Sequence, residues 1–406
     1  MPKNKPYCKI EAPYLLLTLI PFYIDKDENI WLDRLWLRDF VGHTKYIEYL
    51  SLIAPCHHYS DEIPDLELFS HTNKTQVRFV PLKPQTSFLK AVASLPHTVK
   101  TLWHEVAKAE LIHSGIAGWP FPLGWIANPI AMFKRKKLVL VVESAPWRIE
   151  KSGLANKIRS CLTEMLGRYF VRRADLTIAT QPYYLESFGS TTGRGIGFVN
   201  PASWIDEEDI PEFKAVEEGW EKKKTENKAK YLFAGRFDKA KGVEVLLSAI
   251  NTLEEDKVDV QIDLIGFGDL KNKCEQIAGQ SRNHVDYNLL DPVPYGEPFF
   301  SLIQDYHCVL IPSTSDEQPR IIFDAYSQGV PVLASDTDGL RPHITNDTGW
   351  RLIPGSSNAL VDAIKEISKD MEELARRGIG ALEFAENSTH REMHRKRSCV
   401  LADLLK

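Results

Sequence analysis

The hydrophobic pattern of this chain repeats one theme: a short apolar run, a turn, then apolar residues at helical spacing. Tyr14 to Ile20, Leu138 to Val142 and Ala174 to Thr180 are apolar runs of strand length. Near-continuous runs of this kind belong to strands buried on both faces, as in a parallel sheet covered by helices. Between the last two, Ile158, Leu162, Met165, Leu166, Tyr169 and Phe170 predict a basic amphipathic helix over Asn156 to Arg173. Trp31, Leu32, Leu35, Trp36 and Phe40 predict one apolar helix face, serving either core packing or an acceptor groove.

The same theme is sharper in the second half. Tyr231-Leu232-Phe233-Ala234 is a short strand, and Val243, Leu246, Leu247 and Ile250 follow at helical spacing. Val258 to Ile265 alternates and closes on Gly266-Phe267-Gly268. His307 to Pro312 and Gly329 to Ser335 read as two further strands with a helix between them. Asp370 to Glu386 is helical in pattern, with Gly378 and Gly380 marking a break, and Thr389 to Leu405 predicts a last helix. Strands alternating with helices predict an α/β fold. A chain of 406 residues exceeds the roughly 250–300 at which single cores stop growing, so two domains are expected. The divisions fall at 1–205 for a first, acceptor-side domain, 206–229 for a Glu- and Lys-rich linker and helix, 230–385 for a second domain, and 386–406 for a terminal helix.

Composition narrows the class. Hydrophobic residues make up 43% and charged residues 26%, as in a folded enzyme. A net charge of -5 gives no drive toward nucleic acid. Cys8, Cys56, Cys161, Cys274, Cys308 and Cys399 are scattered without a Cys-x-x-Cys pair, which predicts reduced thiols in a cytoplasmic protein and no metal site. The amino-terminal residues include Lys9, Glu11 and Pro13 and do not read as a signal peptide. From Leu111 to Phe133 there is no Lys, Arg, Asp or Glu, but glycines and prolines interrupt any spanning helix. Trp119, Phe121, Trp125 and Phe133 lead into Lys134-Arg135-Lys136-Lys137. Aromatics beside a basic cluster suit the surface of an anionic bilayer, so segment 111–137 carries two readings: a peripheral membrane contact, or a buried segment with a solvated basic edge.

The candidate chemistry lies in two places. In Ser315-Asp316-Glu317-Gln318-Pro319-Arg320-Ile321-Ile322-Phe323-Asp324-Ala325 two carboxylates, Asp316 and Asp324, stand eight positions apart. Asp316 falls in a loop after a strand, and Asp324 one to two turns into a helix whose start favours phosphate. Upstream, Gly235-Arg236, four residues and Lys241-Gly242 follow a strand end. The glycine permits close approach of a ligand to backbone. Arg236 and Lys241 place two cations at one strand-to-helix turn, or are ordinary surface charges there.

Taken together, these segments resemble the signature of the family 4 retaining glycosyltransferases, of GT-B fold. Asp316 and Asp324 stand where that family usually has two glutamates, with Pro319-Arg320 between them and Gly329-x-Pro331-Val332 after. Each aspartate shortens its arm by one methylene. The resemblance runs from about Tyr231 to Ile367. It implies two Rossmann-like domains facing each other across a cleft, with the last helix crossing back to the first. It implies a glycosyltransferase that moves a sugar, with retention, from a nucleotide-diphosphate sugar to a saccharide or lipid-linked saccharide. No cofactor or metal is implied. Arg236, Lys241 and Asp316 are the implied catalytic residues of the second domain. Gly235, Arg236, Lys241, Gly266, Pro319, Arg320, Ile321 and Asp324 are the implied donor-binding set. Arg320 is open to a phosphate contact or a helix-edge salt bridge, and Val293 to Gly296 resembles the loop near the base. In the first domain Glu143, at a strand end, is the implied catalytic acid, and His113 is a second polar candidate. Pro21 to Asn29 lacks the glycine-rich loop that the family often has there. The competing expectations are a non-catalytic binding subunit and a nucleotide-sugar epimerase of the same fold.

Overall fold

The computed structural model describes residues 5–406 other than 61, 64, 71–74, 85–86, 119–121, 149–152 and 317. Trp119, Phe121 and Glu317, quoted above, therefore lie outside the described residues. The chain divides into two compact units, Met1–Pro201 with Met393–Lys406, and Ala202–Glu392.

Unit 1 carries β1 (Tyr14–Leu17), β2 (Phe22–Ile24), β3 (Ile30–Asp33), α1 (Arg34–Thr44), β4 (Tyr49–His58), β5 (Leu66–Leu68) and β6 (Gln76–Leu82). It continues through α2 (Phe88–Lys108), β7 (Leu111–Gly115), α3 (Gly124–Phe133), β8 (Lys137–Val142), α4 (Leu154–Val171), β9 (Leu176–Ala179), α5 (Pro182–Phe188) and β10 (Ile196–Val199). The strands form one sheet in the order β10-β9-β8-β7-β1-β4-β2-β3-β5, with β6 also pairing β4. The strands of the central run, β1 with β4 and β7 through β10, pair in parallel. All four residues of β1 are buried, because α2, α3, α4 and α5 cover one sheet face and α1 the other.

Two expectations change here. Trp31 and Leu32 lie in β3, not on a helix. The glycine-free stretch is a hairpin in which β2 pairs antiparallel with β3. The Asp25 carboxylate holds its turn by accepting from the backbone N–H groups of Asp27 and Asn29. Asp33 then caps α1, accepting from Trp36 N at 3.0 Å, a bond worth about 1 kcal/mol.

Unit 2 carries α6 (Phe213–Lys223), β11 (Ala229–Ala234), α7 (Val243–Glu255), β12 (Val260–Ile265), α8 (Lys271–Ala278), β13 (Val285–Leu290) and α9 (Glu297–Gln304). It continues through β14 (Cys308–Ile311), α10 (Ile321–Ser327), β15 (Val332–Ser335), β16 (Gly349–Leu352), α11 (Ser357–Ile367) and α12 (Met371–Glu386). Its sheet runs β13-β12-β11-β14-β15-β16, parallel throughout. From β11 the chain builds outward through β12 and β13, then returns to lay β14 against the other side of β11. The crevice at such a reversal, beyond the carboxyl ends of the two strands, is where open α/β sheets bind ligands.

α12 runs unbroken through Gly378 and Gly380, so the expected break is absent. Both glycines serve packing instead. A Cβ at 378 would sit 2.5 Å from the Gly329 carbonyl oxygen, and one at 380 would sit 2.2 Å from that of Asp347. The last helix, α13 (His390–Leu404), begins in unit 2, and from Met393 onward belongs to unit 1. There Cys399 is disulfide-bonded to Cys8, across 391 positions of sequence. That bond corrects the expectation of six reduced thiols and withdraws the argument from cysteine spacing to a reducing compartment. The spacing rule failed because the partners meet only after the chain has closed on itself.

Candidate functional site

The loops leaving β11 and β14 interlock. Thr314 N donates to Ala240 O at 2.9 Å, and the Thr314 hydroxyl to Lys239 O at 3.2 Å. Gly242, at φ +74°, lies so close to Pro312 that a Cβ would stand 1.8 Å from the proline carbonyl oxygen. Only glycine satisfies both demands. Gly266 plays the same part on the other side, at φ +155°, where a Cβ would stand 1.9 Å from Gly235 O. Gly235, Gly242 and Gly266 therefore let the exits of β11, β12 and β14 close on one another.

Arg236 projects from this turn, exposed, with Nε 3.5 Å from an oxygen of Asp238. The other Asp238 oxygen accepts from Lys241 N at 2.8 Å. Asp238 thus shapes the turn that carries both cations. It was not among the sequence candidates, although it sits inside the motif.

On the opposing loop Asp316 is exposed. Gln318 clamps that loop, its side-chain amide exchanging two 3.4 Å hydrogen bonds with the backbone of Ala202. Pro319 and Ile321 are half-buried about Arg320, whose guanidinium lies over the Trp204 ring at 5.0 Å. That geometry is a cation–π contact on an indole face. α10 has seven residues, so its summed dipole is small beside that of the thirteen-residue α7. The anion argument accordingly rests on the turn before α7. Asp324, in the first turn of α10, is 4% exposed and accepts from the Tyr295 hydroxyl at 2.9 Å. Tyr295 belongs to the loop expected near the base; its bond to Asp324, 29 positions away, has no local signature.

Unit 2 places Gly235, Arg236, Lys241 and Gly266 at the exits of β11 and β12, and Asp316, Pro319, Arg320, Ile321 and Asp324 on the loop and helix that follow β14. Glu143 belongs to unit 1. It lines a cavity of about 290 Å³ with Asp39, His43, His113 and Arg397, beyond the ends of β1, β7 and β8. The cavity rests on a buried hydrogen-bond network. His43 Nδ1 donates to Asp39 O, and its Nε2 accepts from Arg397 at 3.1 Å. His394 Nε2 donates to the Asp39 carboxylate at 3.1 Å, and its Nδ1 accepts from Tyr46. His113 pairs with the Tyr14 hydroxyl at 2.7 Å. Burial first, then the neighbouring His43 and Arg397, holds His113 well below its ordinary pKa, so it is a neutral polar group. Burial likewise opposes the Arg397 charge, and Tyr46, Asp39 and Glu143 offset that. Asp39, His43 and His394 are a trio of metal-ligand type among the described residues. All four of their ring nitrogens are engaged in the bonds just described, and a cation there would have to displace a guanidinium. Asp39 and His394 stand 355 positions apart, which hid this network from sequence reading.

Residues 216–383 match the model of the family described as glycosyl transferases group 1. An uncharacterized glycosyltransferase of Methanocaldococcus jannaschii is 28% identical over 38% of this chain and 39% of its own length. The phosphatidyl-myo-inositol mannosyltransferase of Mycobacterium leprae is 32% identical over 33% of this chain and 35% of its own. The chain thus spans less than two-fifths of the length of these curated relatives. Among solved structures, the Anabaena protein HepE in complex with UDP aligns over 96% of this chain and 100% of its own, with TM-score 0.64 and 16% identity. At that identity the likeness concerns fold, and the expected α/β class with two Rossmann-like units of GT-B type holds.

Proposed function

Because residues 216–383 match the glycosyl transferases group 1 model, we propose that the chain transfers a sugar from a nucleotide-diphosphate sugar to a hydroxyl of a saccharide or lipid-linked saccharide, with retention. The observation that supports this reading is the interlock of the β11 and β14 exits, the two loops that carry Arg236 and Lys241 on one side and Asp316 on the other. As the glycosidic bond breaks, the departing diphosphate gains negative charge. Arg236 and Lys241 stabilise that charge, and such positioned groups act most strongly in the transition state. The close backbone at Gly235 and Gly266 admits the nucleotide beside them. Asp316 accepts from hydroxyls of the donor sugar. Asp324 accepts from the ribose, in competition with the Tyr295 hydroxyl. Pro319, Arg320 and Ile321 hold the intervening loop in place. Glu143 addresses the sugar or the acceptor hydroxyl from unit 1. The chemistry asks for no metal or cofactor, since side-chain cations neutralise the leaving group. No helix among the described residues is long and apolar enough to cross a membrane. The expected cytoplasmic site of action, peripheral to a membrane, stays part of this proposal on the resemblance alone, since the Cys8–Cys399 disulfide takes away its support from the cysteines.

The test is incubation with UDP- and GDP-sugars, following release of nucleoside diphosphate with and without saccharide acceptors. The UDP bound to HepE makes UDP-sugars the first choice. Arg236→Ala is expected to slow release by about 10- to 150-fold, the equivalent of losing one charged hydrogen bond of about 1.5–3 kcal/mol. Unchanged turnover removes Arg236 from the site. Binding without turnover by the parent chain supports a non-catalytic subunit, and isomerisation of the sugar supports an epimerase.

A further inference from the structure

Two helices of unit 1 face water with the wrong residues. On α2 the inward positions include Ser94 and Thr98, both buried, whereas Leu89, Val92, Val99 and Trp103 are exposed. On α4 the inward face includes Thr163, whereas Leu154, Ile158, Leu162, Met165 and Tyr169 are exposed. Their spacing of three and four puts the α4 set on one stripe. Of the residues that predicted this amphipathic helix, Leu166 and Phe170 pack inward, whereas Ile158, Leu162, Met165 and Tyr169 face water. Leu89 is 79% exposed, Leu154 76% and Phe133, at the end of α3, 74%. Isolated exposed apolar side chains are ordinary, but stripes of them are not. α2, α3 and α4 all pack on the same sheet face, so their outer sides belong to one side of the unit. Trp103 and Phe133 lie 5.7 Å apart, with the Lys134 ammonium 4.1 Å over the Trp103 ring.

The charge of this side differs from that of the molecule. Segments 88–108, 124–137 and 154–173 hold twelve Lys and Arg against two acids, Glu105 and Glu164, in a chain of net charge -5. Both acids are already paired, Glu105 with Arg78 and Lys108, and Glu164 with Arg148 and Arg168. Apolar and aromatic side chains interleaved with cations in excess over acids are complementary to an anionic lipid surface. Lys and Arg can lay their stems along the apolar layer while the charges reach headgroups. The apolar positions run the length of two helices, each about 30 Å long by their rise.

We propose that unit 1 binds the surface of an anionic bilayer through the outer faces of α2 and α4 and the end of α3. This places the contact mainly outside segment 111–137 and does not depend on the glycosyl-transfer reading, because its readout is binding. The full-length chain is mixed with vesicles of phosphatidylcholine, with and without about 30% phosphatidylglycerol, and sedimented at about 0.15 M and 0.5 M salt. Binding is expected to the anionic vesicles, weakening with salt. The triple variant Leu89→Ser, Leu154→Ser, Ile158→Ser, altered only at exposed positions, is expected to lose at least about tenfold in affinity with an unchanged thermal unfolding midpoint. A second variant, Lys134→Gln with Lys136→Gln, is expected to flatten the salt dependence. Failure of the parent chain to bind anionic vesicles overturns the proposal, as does full binding by the triple variant. Dimerisation of the parent chain abolished by the same three substitutions, without vesicle binding, assigns the surface to a second copy instead.

Discussion

Asp324 is a carboxylate almost out of contact with water, and such a group stays charged only where donors face it. The Tyr295 hydroxyl is one of them, at 2.9 Å. Tyr295→Phe deletes that donor and nothing else. Stability toward urea is expected to fall by about 1.5–3 kcal/mol, the worth of a hydrogen bond to a charged group. An unchanged unfolding curve would mean that other groups carry the carboxylate unaided. At this scale the legible parts of the site are those written within a few positions. Gly235-Arg236 and Lys241-Gly242 flank a single turn, and a single acid, Asp238, bonds both ends of it. The illegible parts are partners brought from afar: Tyr295 to Asp324, Trp204 to Arg320, Arg397 to His43. No periodicity or spacing encodes those meetings.

Helix α12 tests what a glycine means inside an element. Alanine would improve helix propensity at an interior position by about 1 kcal/mol. At Gly380, however, the new methyl would stand 2.2 Å from the Asp347 carbonyl oxygen, a backbone atom with little room to retreat. Gly380→Ala is therefore expected to destabilise by about 1–3 kcal/mol, read from the urea midpoint. A stabilised variant would show that the helix can shift outward. The same lesson separates the elements that the pattern revealed from those that it did not. Buried strands such as β8 and β11 stand out because both faces are apolar. The β2–β3 hairpin was hidden because its turn uses Asp25 and Asn29 rather than glycine, and because Trp31 and Leu32 fit either periodicity. On α4 the pattern marked the helix but not its faces, because apolar residues stand on both: Leu166 and Phe170 pack inward and a second stripe points to solvent.

For the whole molecule the tie between Cys8 and Cys399 matters most. A crosslink spanning so much chain restricts the unfolded ensemble, and disulfides typically contribute about 2–4 kcal/mol. Cys8→Ser, or reduction by a dithiol, is expected to lower the thermal midpoint of the full chain, and an unaltered midpoint would exclude a stabilising role. The noncovalent joint beside it is extensive as well. Cys8 N donates to the Ser398 hydroxyl at 3.0 Å, and the imidazole of His394 occupies the space that a side chain at Gly42 would fill. Domains generally complete folding in the order in which they leave the ribosome. Here that order is inverted: the first two hundred residues emerge without α13, and all of unit 2 must follow before residues 393–406 arrive. Until then the nascent Asp39 and Glu143 lack the guanidinium of Arg397. The part of this protein made earliest is the part finished last.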